Sequence, residues 1–281
     1  MSRFNLPVFK SAVPAMTAQQ LVARTVRAHG AANLILGEST TFDFGLAICA
    51  PEFPVVRSAN CVTDISLTAD ADPAAAIAEV DGYFNQHNVR CRKWEISPQN
   101  ACTGLQAVLQ SEGYQQRTDR CYSLGQVRPL PDRADLTFVP IRAGMSLLGS
   151  LTETILANEG VTDPAERLQL LTAVERRLDD TDMDGFLALA STDVPVAAGC
   201  VTLYTRGDLG YIYSLDVHPA YRRQGIGGAL LLRAFELAAR SRHRYVTLLT
   251  NEGNAAAIGL YERAGFVLLG TVDAFCRAQA D

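Results

Sequence analysis

No window of about 18 consecutive apolar residues, the length that crosses a bilayer as a helix, occurs in the 281-residue chain. The opening MSRFNLPVFKSAVPAM lacks the continuous apolar core and small-residue cleavage pattern of a secretory leader, so a cytoplasmic location is expected. Basic residues do not predominate either. Lys and Arg number 25 against 30 Asp and Glu, for a net charge of −5 and a pI near 5.4. That balance argues against nucleic acid or an anionic membrane as the main partner, and any anion site must be local. The seven cysteines (Cys49, Cys61, Cys91, Cys102, Cys121, Cys200, Cys276) form no C-x-x-C pair and have no histidine at ligand spacing. They read as buried thiols, and no zinc or other metal is expected.

What is present is ample apolar material, 48% of residues, in a chain long enough for two domains of the commonest size. The segment LGQVRPLPDRADL (residues 124–136) has two prolines, a glycine and alternating charges between strand-like runs, as a linker does. It divides the chain into residues 1–128 and 134–281. Beyond it the pattern predicts a strand at 136–141 and a helical region from Gly144 to about Asp180, broken at NEGVTDP, with Asp163 as N-cap and Pro164 in the first turn. Strands at 184–191, 196–204 and 209–217 follow, joined by short turns as in an antiparallel meander. Ile226, Leu230, Leu231, Ala234, Phe235 and Ala238 recur at helical spacing, and a strand (245–250), a short helix (255–264) and a strand from Phe266 complete a mixed α+β order with one strand–helix–strand crossover.

The segment DVHPAYRRQGIGGALLLRAF (residues 216–235) places Arg222, Arg223 and Gln224 before Gly225-Ile226-Gly227-Gly228 at a helix start. Helix N-termini carry unpartnered N–H groups and a partial positive charge, and glycine allows close approach, so the pattern points to bound phosphate. A P-loop would need Gly-Lys-Ser/Thr where this chain has Gly-Gly-Ala. A dinucleotide turn would need a third glycine where Leu230 stands, and repeated βαβ units that are missing.

The pattern Arg222-x-x-Gly225-x-Gly227 after LDVHP resembles the acyl-coenzyme A signature of the GNAT superfamily of N-acetyltransferases. A second block, NEGNAAAIGLYERAGF (residues 251–266), is similar to that family's N-x-x-A-x-x-L-Y-x-x-x-G-F region, at the expected distance. The resemblance covers roughly residues 135–277. It implies a GNAT-like α/β fold, a twisted and mostly antiparallel central sheet flanked by helices. It also implies acetyl-coenzyme A as cosubstrate, with the pantetheine arm along the backbone of Leu215 and Val217. Arg222, Arg223, Gln224, Gly225, Gly227 and Gly228 would hold the pyrophosphate and Asn254 a pantetheine amide. Tyr261 would be the general acid toward the leaving thiolate. Many family members carry a basic carboxylate six residues before the position of Val217; here that residue is Tyr211. Asp216, the only acid on the strand, is expected by alternation on the face opposite Tyr211, Tyr213, Leu215 and Val217, which makes it a weak base candidate.

The first half follows a similar course, since WEISPQNACTGLQAVLQSEGY (residues 94–114) parallels residues 246–266, with Leu109 opposite Tyr261 and Cys102 opposite Asn254. In place of the glycine turn stand Asp70, Asp72 and Pro73. Two carboxylates repel a pyrophosphate and proline removes a donor. The first half therefore reads as a degenerate GNAT-like domain without cofactor, duplicated in tandem with a catalytic second half. The resemblance implies transfer of acetyl to the primary amine of a small molecule, in a monomer or homodimer. A non-catalytic acyl-coenzyme A sensor, a protein-lysine acetyltransferase and an enzyme similar to mycothiol synthase are the alternatives.

Overall fold

A computed structural model describes residues 16–131, 133–192 and 195–277. In the first half, helix α1 (Ala18–Leu34) precedes the hairpin β1 (Glu38–Phe42) and β2 (Gly45–Cys49). Strand β3 (Cys61–Ile65), helix α2 (Pro73–Gln86), strand β4 (Lys93–Ile96), helix α3 (Gly104–Ser111) and strand β5 (Tyr114–Leu124) follow. The second half runs β6 (Leu136–Pro140), α4 (Met145–Asn158), α5 (Pro164–Arg177), β7 (Met183–Ala190), β8 (Val196–Arg206), β9 (Leu209–Val217), α6 (Ile226–Arg240), β10 (Tyr245–Asn251), α7 (Ala255–Ala264) and β11 (Phe266–Arg277). This is the element order expected for the region after the linker.

Local chemistry accounts for the helix boundaries. Asp163 caps α5, accepting from the N–H groups of Ala165 and Glu166 at 3.2 and 3.3 Å, with Pro164 in the first turn. In α6 the six residues at helical spacing, Ile226 to Ala238, are all buried. At about 1.5–3 kcal/mol for each large aliphatic or aromatic side chain, that stripe holds the helix to the sheet. Gly265 ends α7 at φ +104°, a left-handed conformation that glycine adopts without a Cβ penalty.

The strands form one eleven-stranded sheet, ordered β1-β2-β3-β4-β11-β5-β10-β9-β8-β7-β6. Strands β7, β8 and β9 make an antiparallel meander, and β9 pairs parallel with β10 through the α6 crossover. The first half repeats that crossover with β3, α2 and β4. The two halves exchange strands at the centre: β5 lies between β10 and β11, and β11 lies between β5 and β4. The linker after β5 is drawn back onto the C-terminal end of α7, with Gly125 N–H donating to Gly265 O at 3.0 Å.

Helices α6 and α7 share a core with one face of the sheet, around Leu230, Phe235, Leu248 and Tyr261. Helices α1 and α4 share a core with the other, around Leu151, Leu187 and Tyr211. The cysteines are free thiols, buried except for Cys276, which is partly exposed near the end of β11, against the expectation that all seven are buried.

Candidate active site

The pairing of β9 with β10 stops at Ile212 opposite Leu248, while β9 stays paired with β8 as far as Val217 opposite Gly199. Beyond Ile212, β9 and β10 therefore splay, leaving a slot flanked by backbone whose hydrogen-bonding groups have no strand partner on that side. The glycine turn lies at the mouth of the slot. Arg223 takes a left-handed φ of +64° and Gly225, the N-cap of α6, one of +82°. No side chain caps the helix, its first turn holds no acid, and the first intrahelical bond is made by Ala229 N–H to Gly225 O. The N–H groups of Ile226, Gly227 and Gly228 are thus free to meet an anion.

A Cβ on Gly227 would stand 2.9 Å from Leu260 Cδ2 and 3.6 Å from Leu215 Cδ2, so glycine here lets α6 close on α7 and β9. Gly228 faces the linker, where a Cβ would lie 3.7 Å from Leu130. Arg222 is exposed and donates from Nε to Val217 O at 3.2 Å; Gln224 donates to Ala220 O and receives Arg133 on its own carbonyl. Arg133, paired with Asp135 at 2.5 Å, thus ties the linker to the turn, a contact that no local pattern announces. The contrast with α2 is direct, because there Asp72 caps the helix by accepting from Ala74 N–H at 2.9 Å and Pro73 occupies the first position.

Asn254 is the N-cap of α7, its Oδ1 accepting from Ala257 N–H at 3.1 Å, which leaves Nδ2 to donate elsewhere. Tyr261, on the same helix, is 6% exposed and stands edge-on to Phe266 at 5.7 Å between centroids. Burial first, and then the negative charge of Asp216, push its phenol well above the ordinary range, so it keeps its proton.

Alternation fails on β9. A β-bulge at Tyr213 separates Thr202 opposite Ser214 from Leu203 opposite Ile212, and Ser214 N–H donates to Thr202 Oγ1 at 3.1 Å. The extra residue reverses the faces: Leu215 and Val217 pack with the α6 side, whereas Tyr211 and Tyr213 pack with the α1 and α4 side. Asp216, between Leu215 and Val217, therefore shares the Tyr211 face rather than opposing it. Desolvation, then the Glu159 carboxylate, raise Asp216 to about 6, against the pull of Ser214 and Arg222.

Below the slot Tyr211 OH meets His29 Nδ1 of α1 at 3.0 Å. Asn33 Oδ1 accepts from Tyr213 OH at 2.9 Å and from Arg177 at 3.4 Å, so its amide nitrogen is the atom 3.2 Å from His29 Nε2. His29 Nε2 must then be the acceptor and Nδ1 carry the hydrogen, which donates to Tyr211. Burial lowers His29 to about 4, the largest of several opposing influences, so the ring is neutral. Its lone pair being engaged by Asn33, His29 has no means of taking a proton from Tyr211. The network continues through Glu95, which accepts from Thr63 at 2.6 Å and pairs with Lys93 at 3.0 Å.

The family model described as Acetyltransferase (GNAT) family matches residues 152–266, from within α4 to the start of β11. These residues are a GNAT acetyltransferase domain. An uncharacterized N-acetyltransferase of Methanocaldococcus jannaschii is 33% identical over 90 residues, a match that spans 30% of this chain and 40% of that protein. A functionally unknown protein from Staphylococcus epidermidis is similar in structure, with a TM-score of 0.65 at 14% identity over 88% of this chain and 96% of its own. A GCN5-related N-acetyltransferase from Kribbella flavida has a TM-score of 0.63 at 14% identity, over 95% and 98%. At that identity the likeness concerns the fold alone. The GNAT domain holds the open turn, the slot, Asp216 and Tyr261, while α1 and β5 of the first half complete its surroundings.

Proposed function

We propose that residues 134–281 bind acetyl-coenzyme A and transfer its acetyl group to the primary amine of a small molecule, and that residues 1–128 bind no cofactor. The observation that carries this reading is the uncapped, acid-free N-terminus of α6 at the mouth of the slot, with Tyr261 on the neighbouring helix. The free N–H groups of the first turn, with Arg222 and Arg223, would hold the pyrophosphate, and Gly225 leaves the space a side chain would take. Leu215 and Val217 would offer their main chain to the pantetheine arm, and Asn254 Nδ2 would donate to one of its carbonyls.

Asp216 is our candidate for the proton acceptor. Tyr211 occupies the position of the usual carboxylate, but it is a phenol held by a neutral histidine, whereas Asp216 lies on the same face and loses its proton near pH 6. The amine nitrogen attacks the acetyl carbonyl, the carbon–sulfur bond breaks, the amine proton passes to Asp216 and Tyr261 donates its O–H to the departing sulfur. A backbone N–H freed by the splay beside Val217 would stabilise the oxyanion. The two side chains reinforce each other: once Asp216 is protonated, the charge that opposes ionisation of Tyr261 is gone. Coverage of the Tyr211 face by α1 favours a small acceptor over an extended peptide, and the carboxylates of Asp216 and Glu159 favour a cationic one.

Thiol release from acetyl-coenzyme A across a panel of small amines tests the reading. Turnover with at least one amine is expected. Saturable acetyl-coenzyme A binding with no turnover on any amine would instead mark a non-catalytic binder.

A further inference from the structure

At the far end of β9 from the glycine turn, a cleft of about 260 Å³ opens between α1 and the β8–β9 hairpin, lined by Arg24, Arg27, Arg206 and Leu209. Arg24 is held in place by an ion pair with Asp208 at 2.5 Å, and its guanidinium lies 5.7 Å from the centre of the Tyr245 ring. Arg206 is exposed and donates from Nη1 to the carbonyl of Arg27 at 3.0 Å, leaving the rest of its guanidinium open. Arg27 is exposed, and among the described residues its guanidinium makes no ion pair, although its charge reaches the Asp64 carboxyl and opposes the rise that burial causes there. Asp208, the carboxylate at the cleft, is engaged by Arg24, and the arginines lining the cleft outnumber that one carboxylate, so Arg27 and Arg206 make it locally positive on a chain whose net charge is −5.

Guanidinium groups that face a common space repel one another and present planar N–H forks matched to phosphate oxygens. We infer that this cleft is a second anion site, separate from the glycine turn, which takes a phosphate dianion, either free or as the phosphomonoester of a small molecule. The volume suits one phosphate group with a small body attached. A bound dianion would bridge Arg27 on α1 to Arg206 on β8 and so fasten the first half to the second. Helix α1 carries His29, two residues beyond Arg27, onto β9.

Calorimetric titration of the full chain with inorganic phosphate, and separately with glycerol phosphate, tests the site. The R222Q/R223Q variant, weakened at the glycine turn, is expected to keep one saturable site per chain. In R27Q/R206Q that site should lose affinity by about tenfold or more, the worth of one charge-assisted contact. Tighter binding of glycerol phosphate would identify a metabolite as the occupant, and equal binding free phosphate. Thermal melts show whether R27Q/R206Q folds, and the single variant R206Q serves if it does not. Unchanged binding in the cleft variants, or no saturable phosphate binding in R222Q/R223Q, overturns the inference. Neither result bears on acetyl-coenzyme A turnover, which the glycine turn and Tyr261 decide.

Discussion

His29 of α1 and Tyr211 of β9 meet at 3.0 Å across the seam between the two halves, with the hydrogen on His29 Nδ1. Tyr211→Phe keeps the ring but removes the acceptor, leaving a buried N–H unpaired. A loss of about 1–3 kcal/mol in stability is expected, read as a lower denaturant midpoint. Because His29 does not accept the amine's proton, the pH profile of kcat/KM should keep its shape. A displaced acid limb in this variant would make the pair part of the proton path.

Tyr261→Phe preserves the edge-on packing against Phe266 and removes the one O–H that α7 aims into the core beside the slot. Turnover should fall by about a hundredfold or more, as for loss of a positioned acid. Acetyl-coenzyme A affinity, measured by equilibrium titration, should hardly change. Weakened affinity with normal turnover would give Tyr261 a binding role alone.

Gly225→Ala separates strain from ligand approach. The residue sits at φ +82°, and a Cβ there would meet nothing within 4 Å, so the protein itself has room for a methyl group. The left-handed backbone costs about 1–2 kcal/mol with any ordinary side chain. Gly113, at φ +83° with nothing within 4 Å, is a matched control in the first half. Both alanine variants should lose similar stability, but only Gly225→Ala should weaken acetyl-coenzyme A binding. Equal affinities in the two would remove the close approach from the proposed site.

Much of this architecture is legible from local pattern. The stripe Ile226 to Ala238 sets α6, Asp163-Pro164 starts α5, and the missing cap at Gly225 is written in the residues themselves. What the sequence conceals depends on partners far along the chain. The bulge at Tyr213 arises from how β9 pairs with β8, so strict alternation puts Asp216 on the wrong face. The exchange of β5 and β11 follows from which edge each strand finds, and nothing inside either strand distinguishes those edges. Asn254 is an intermediate case, since asparagine before a helical run signals an N-cap as readily as a ligand contact.

Asp216 offers the most discriminating test because its activity and its stability respond to pH in different ways. Its carboxyl is raised from 3.8 to about 6 in the folded protein, so the fold favours the protonated form. Ionisation therefore costs stability: the penalty is absent below the unfolded value near 3.8, develops as pH rises through about 6, and is complete above it. Asp216→Asn removes a charge that burial and Glu159 both oppose, and should raise the melting temperature at pH 8 while changing it little at pH 4. The Glu95 carboxylate, lowered to about 2 beside Lys93, is stabilising in the opposite sense, but it is present in both proteins and cancels in the comparison. The same substitution should cost activity. In the unsubstituted protein kcat/KM should decline as pH falls below about 6, where Asp216 takes up its proton, and Asp216→Asn should be slower throughout and lack that limb. A variant that is more stable at pH 8 yet keeps the limb at full rate would leave Asp216 as a half-buried charge with no part in proton transfer.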